Sequence, residues 1–209
     1  MFVQFGNDPE AVVRAANLCC LDSLPGPRSF RHWLIPSHGL PPWARAADFD
    51  PDQTVVVLTL LPREASRCSR PPNEVGVFAR DGRYWGLWDS RRDGYGLNAY
   101  VGADGGRIKS FYAIEAADLA AARMGFKTLP GRTGRDEVTT MEYSDIMGQK
   151  KIIVRVTKTG QTTVETSGFV GKECQDATKQ LEAALGTVES EQATPEMYKV
   201  PEQTVKVGG

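Results

Sequence analysis

The stretch from Lys150 to Gly186 constrains the chain most, because its hydrophobic period switches from that of strands to that of a helix within one short span. "KKIIVRVTK" alternates apolar and polar residues, Gly160 offers a turn, and "TTVETSGF" returns as a second strand, as in a two-stranded ribbon. "KECQDATKQLEAAL" then switches to helical spacing, with Cys174, Ala177, Leu181 and Leu185 on one stripe and Gly186 as the stop. A lone hairpin and helix bury too little surface to be stable, so this segment is expected to dock on the rest of the chain. Met147 stands just before it. The sequence therefore predicts two modules: residues 1–146, and residues 147–209 with the hairpin, the helix and a polar tail interrupted by Pro195 and Pro201.

The first module opens with a short strand, then Asn7 or Asp8 as a helix N-cap and Pro9 at the first helical position. Val12, Val13, Ala16 and Cys19 or Cys20 form the expected buried stripe, and the helix is expected to end before "SLPGP". Residues 26–53, rich in proline and aromatics without a clear period, read as an inserted loop holding His32, Trp33, His38 and Trp43. "TVVVLTLLP" fits a central strand, and Asp81-Gly82 between two strand-like runs is the strongest short hairpin signal in the chain. After the glycine-rich "DGYGLNAYVGADGG", a helix is expected over "RIKSFYAIEAADLAAARMGF", with Ile108, Phe111, Tyr112, Leu119 and Ala122 on one side and Gly125 as its end. A weaker hairpin turns around residues 131–136. The fold class is α+β: a mixed or antiparallel sheet with two packed helices, for which the β-α-β-β-β-α order allows a ferredoxin-like arrangement, followed by the small hairpin-plus-helix module.

Charge excludes some functions. The 25 basic and 26 acidic residues nearly cancel, so no general attraction to nucleic acid or to an anionic membrane is expected. No apolar run is long enough to span a bilayer, and a cytoplasmic location is the expectation. Cys19, Cys20, Cys68 and Cys174 read as reduced thiols, since a vicinal pair does not easily close a disulfide. Cys19 and Cys20 with His32 and His38 lack the spacing of a zinc finger or ribbon, so neither a metal nor a cofactor is expected.

Four features carry candidate chemistry. Gly105 and Gly106 with Arg107 and Lys109 place backbone amides and cations at a helix start, where an anion is favoured. The Gly-Lys-Ser/Thr ending of a phosphate loop is missing, however, and a simple entry turn with Asp104 as cap competes. Glu115 falls close to the apolar stripe of its helix, as a polar anchor that needs a partner or as a residue at the stripe's edge. Cys174 opens a helix beside Lys172, which suits either a reactive thiol or ordinary packing. Gly208 and Gly209 resemble the di-glycine end of ubiquitin-like modifiers. No catalytic residues are assigned, because neither a Gly-x-Ser-x-Gly elbow nor a local Cys and His signature is present.

From "EVGVFARDGRYWGLWDS" through "GGRIKSFYAIEAADLAAARMGF" the first module resembles the hypothetical chloroplast reading frame thirty-five family, domain of unknown function twelve-fifty-seven. The resemblance spans most of residues 1–143, leaves residues 26–53 as an insertion, and places a family glutamate at Glu115. Residues from Lys150 to about Tyr198 resemble domain of unknown function twenty-nine ninety-seven, through the lysine-led strand, "TTVETSGF", the cysteine opening the helix, "LEAALG" and Pro195-x-x-Tyr198. The two families tend to occur together near genes for AAA-type ATPases, which implies a fusion of two usual partners. The leading expectation is thus a non-enzymatic accessory or adaptor protein that binds a protein partner, with a AAA-type ATPase as candidate. A ubiquitin-like modifier or carrier acting through Gly208 and Gly209, and a thiol-dependent enzyme at Cys174, are the alternatives.

Overall fold

A computed structural model describes residues 1–28, 54–129, 133–135, 138–169 and 172–186. Strand β1 (Phe2–Gln4) leads into helix α1 (Pro9–Leu18), whose start is fixed by the Asp8 carboxylate, accepting hydrogen bonds from the Glu10 and Ala11 amides at 3.0 and 3.2 Å. The buried stripe of α1 is Ala11, Val12, Ala15, Ala16 and Cys19, while Val13 is only half-buried. Cys20, at a φ of 59°, turns the chain back into β2 (Leu21–Pro25), a strand the sequence reading did not contain. It lies at a sheet edge, where pairing with β3 (Val56–Leu60) rather than its own residue pattern makes it a strand.

Helix α2 (Pro62–Ala65) precedes β4 (Val75–Arg80) and β5 (Arg83–Leu87), which form the hairpin expected at Asp81 and Gly82. Both turn residues have positive φ, 51° and 71°, as the tight two-residue hairpin turn requires. The first sheet is antiparallel in the order β1-β5-β4-β3-β2. A ferredoxin-like arrangement is therefore not adopted: β2 to β5 run as a continuous meander, which leaves β1 the edge beside β5.

Short α3 (Asn98–Val101) leads to α4 (Gly106–Arg123), which stops just before Gly125, at a φ of 81°. Strands β6 (Lys127–Thr128), β7 (Thr133–Arg135), β8 (Val138–Ser144), β9 (Lys151–Thr157) and β10 (Thr162–Ser167) build a second sheet, in which β8 pairs with β6, β7 and β9, and β9 with β10. Helix α5 (Lys172–Leu185) closes the described chain. Residues 145–150 form the turn between β8 and β9, with Ser144 opposite Lys151; the segment "MEYSDI", residues 141–146, which the sequence offers as the link between two modules, lies mostly within β8. The α+β class is as expected, with antiparallel pairing in both sheets.

One apolar core joins these parts. It takes Val3, Leu58, Val75 and Val77 from the first sheet, Met141, Tyr143, Ile152, Val154 and Val156 from the second, and Leu181 from α5. Helix α4 is the shared element, packing on α1, α5, β6 and β9. Its buried residues Ile108, Tyr112, Ala113, Ile114, Ala116, Ala117, Ala120 and Ala121 sweep more than half of its circumference at 3.6 residues per turn. The single stripe expected from the sequence is thus replaced by a wider buried surface, with Phe111 and Leu119 half-buried and Ala122 exposed. No described helix is long and apolar enough to cross a membrane.

Candidate functional site

The strongest local departure from ordinary backbone lies at residues 92–95. Arg92, Asp93, Gly94 and Tyr95 have φ of 50°, 59°, 58° and 54° in succession, a left-handed turn. For the three residues with side chains this conformation costs about 1–2 kcal/mol each, and it persists because buried groups hold both ends. Asn73 donates from its amide to the Gly94 carbonyl at 3.0 Å and from Nδ2 to the Asp89 carbonyl at 2.9 Å. Asn98 accepts from Trp88 Nε1 at 3.2 Å and donates to the Ser90 carbonyl at 3.3 Å. Arg91 forks onto Asp89, with Nη2 to Oδ2 at 2.7 Å and Nε to Oδ2 at 3.0 Å. Burial opposes the charge on Asp89, but the Arg91 side chain and backbone hydrogen bonds outweigh it and hold the carboxyl below its ordinary pKa. Asn73 Oδ1 is buried without a hydrogen-bond partner among the described residues, a further cost located at this turn.

The turn forms one wall of a cleft of about 420 Å³, lined by Arg67, Cys68, Ser69, Arg92, Asp93, Tyr95, Gly96, Ala99 and Tyr100. That size suits a small molecule. Glu64 anchors the opposite side, accepting from Tyr100 Oη at 2.8 Å and from Arg67 Nη1 at 2.7 Å. Gly96, at a φ of 103°, lies against Cys68 so closely that a Cβ there would stand 2.6 Å from Sγ. In sequence "DGYGLNAY" is legible only as glycine-rich; no propensity rule marks three non-glycine residues of one four-residue run, Arg92, Asp93 and Tyr95, as left-handed.

The residues singled out from the sequence are placed elsewhere. Gly105 is the N-cap of α4 at a φ of 74°, and its missing Cβ would meet Val3 Cγ1 at 2.3 Å and the Trp88 ring at 2.7 Å. The Gly106 amide donates to Asp104 Oδ1 at 2.8 Å, so a carboxylate already occupies that position. The Arg107 guanidinium donates to the Ala99 carbonyl at 3.2 Å and lies 6.0 Å from the Phe111 ring centroid, and the Lys109 stem packs beside Gly160. The two cations do not converge on the helix-start amides. Glu115 is mostly buried with Arg14 Nη1 3.7 Å away, and Arg14 also bonds Glu10 at 2.7 Å. Cys174 lies in the first turn of α5; its side chain, like Gly208, Gly209, His32 and His38, lies outside what is described. Cys19 is buried, and burial pushes its thiol up to about 12, whereas Cys20 and Cys68 are half-buried. Among the described residues no group of three or more His, Cys, Asp or Glu side chains is arranged to hold a metal ion.

A second surface feature stands at the β8–β9 turn. Asp145 Oδ1 accepts from the Gln149 and Lys150 amides at 2.8 and 3.1 Å, and the Asp145 amide donates to the Lys150 carbonyl at 3.1 Å. This fixed turn carries Ile146 and Met147 at its tip, 79% and 75% exposed. They are the most exposed large apolar side chains among the described residues.

Residues 152–198 match the model of a family described as "Protein of unknown function (DUF2997)". The match coincides with the second module expected from the sequence and takes in most of β9, all of β10 and all of α5. No curated protein and no solved structure matches the chain. The end of the DUF2997-like helix is held from the N-terminal segment and from α4: Asn7 donates its amide to the Ala183 carbonyl at 3.3 Å, and Tyr112 Oη on α4 donates to the Ala184 carbonyl at 2.6 Å.

Proposed function

We propose that the protein is a non-enzymatic accessory or adaptor protein that binds a protein partner through the tip of the β8–β9 hairpin. One observation carries this reading: Ile146 and Met147, adjacent and largely exposed, sit on a turn fixed by the Asp145 carboxylate. Scattered apolar residues on a surface are ordinary. Two neighbours displayed on a pre-organised tip are different, since a rigid presentation lowers the ordering cost of docking. A AAA-type ATPase is the candidate partner, and the resemblance of residues 1–143 to the chloroplast reading frame thirty-five family supports that choice together with the DUF2997-like segment.

The test compares the full-length protein with an Ile146→Asp/Met147→Asp variant, each recovered from its native cells after cross-linking. A stoichiometric partner present with the first and lost with the second, at unchanged thermal midpoint, is the expected result. A partner retained by the variant, or none with either protein, overturns the reading.

A further inference from the structure

The segments that build the cleft beside the left-handed turn use arginine as their only cation. Residues 62–70 and 89–96 carry Arg63, Arg67, Arg70, Arg91 and Arg92 against Glu64, Asp89 and Asp93, with no lysine, in a chain whose overall charge is close to zero. Two of these carboxylates are engaged, Asp89 by Arg91 and Glu64 by Arg67 together with the Tyr100 hydroxyl. Arg92 is exposed and makes no ion pair among the described residues. A guanidinium offers a planar fork of donors matched to the oxygens of a phosphate.

The backbone strain has a definable result. All three strained residues with side chains, Arg92, Asp93 and Tyr95, line the cleft with Arg67 and Tyr100. Strained backbone that the surrounding structure holds in place clusters at active sites, ligand clamps and switch regions. The lining suits more than a bare anion: Asp93 offers an acceptor and Ser69 a hydroxyl. We propose that this cleft binds a small phosphate ester, with Arg67 and Arg92 on the phosphate and Asp93 accepting from hydroxyl or amino groups of the organic part. This site is separate from the hairpin tip, so the failure of either proposal leaves the other standing.

The experiment titrates the full-length protein with ribose 5-phosphate, adenosine monophosphate and inorganic phosphate, following backbone amide resonances at low salt. Saturable changes centred on residues 67–69, 92–96, 99 and 100 with at least one ester are expected. In an Arg67→Ala/Arg92→Ala variant the affinity falls by about tenfold or more, while Arg155→Ala, on the second sheet, leaves it unchanged. Inorganic phosphate binding as tightly as both esters overturns the assignment of an ester. No saturable change, changes centred elsewhere, or full affinity in the double variant overturns the site itself, and an unchanged unfolding midpoint shows that the variant is folded.

Discussion

Asp89 shows how a single side chain ties strain to solvent conditions. It is buried, it is gripped by Arg91, and the peptide beside it receives Asn73 at the foot of the left-handed turn. Its folded pKa is held below the unfolded value of about 3.9. Its stabilising contribution is therefore complete above that unfolded value and is lost as the pH falls through the folded one. Thermal melts between pH 6 and pH 2.5 are expected to show a steeper acid decline for the wild type than for Asp89→Asn; parallel curves would refute the assignment. Gly105 illustrates a different residue-scale lesson. The sequence offered it as a site for an anion, yet the space its Cβ would need is taken by Val3 and Trp88, so tight packing and positive φ explain the glycine without a ligand.

At the scale of elements, helix α1 depends on one carboxylate with two tasks. Asp8 caps the helix and also receives Arg123 Nη1, from the far end of α4, at 2.5 Å, so that one side chain fastens the two helices together. Asp8→Asn keeps a capping oxygen but loses the ion pair, whereas Asp8→Ala loses both. The alanine variant is expected to cost about 2–3 kcal/mol in urea denaturation, and the asparagine variant less by about 1 kcal/mol. Equal losses would mean that the capping oxygen contributes nothing, and an asparagine variant as stable as the wild type would mean that the contact with Arg123 contributes nothing. Caps of this kind are legible in a sequence, and Asp8-Pro9 marked the start of α1. The end of α1 is less so, because β2 is recognised only once β3 lies beside it.

For the whole molecule, the question is whether residues 1–146 are a folding unit. In the second sheet β8, which precedes Met147, pairs along its length with β9, which follows it, and Tyr143 on β8 donates to Asp118 on α4 at 2.7 Å. Leu181 and Ala184 of α5 belong to the same core as Val3 and Phe5. Removing residues 147–209 would take Ile152, Val154, Val156, Leu181 and Ala184 out of the core and leave β8 without its longest partner. The full-length protein is expected to unfold in one cooperative transition, and a fragment of residues 1–146 is expected to give no sigmoidal transition under the same conditions. A fragment that melts cooperatively near the full-length midpoint would refute this.

The sequence by itself determined what depends on neighbours along the chain. The start of α1 at Pro9 behind a cap at Asn7 or Asp8, the Asp81-Gly82 turn, the Gly125 stop and the strand-turn-strand-helix run after Met147 all follow from local backbone chemistry. The tertiary structure alone decided three things. It set β1 at the edge beside β5, it spread the buried surface of α4 beyond one stripe, and it held Arg92, Asp93 and Tyr95 in left-handed conformations. The physical reason is common to all three. Each depends on groups far apart in sequence, such as Asn73 reaching Gly94 or Tyr112 reaching Ala184, whose combined packing and hydrogen bonding overrides local preference.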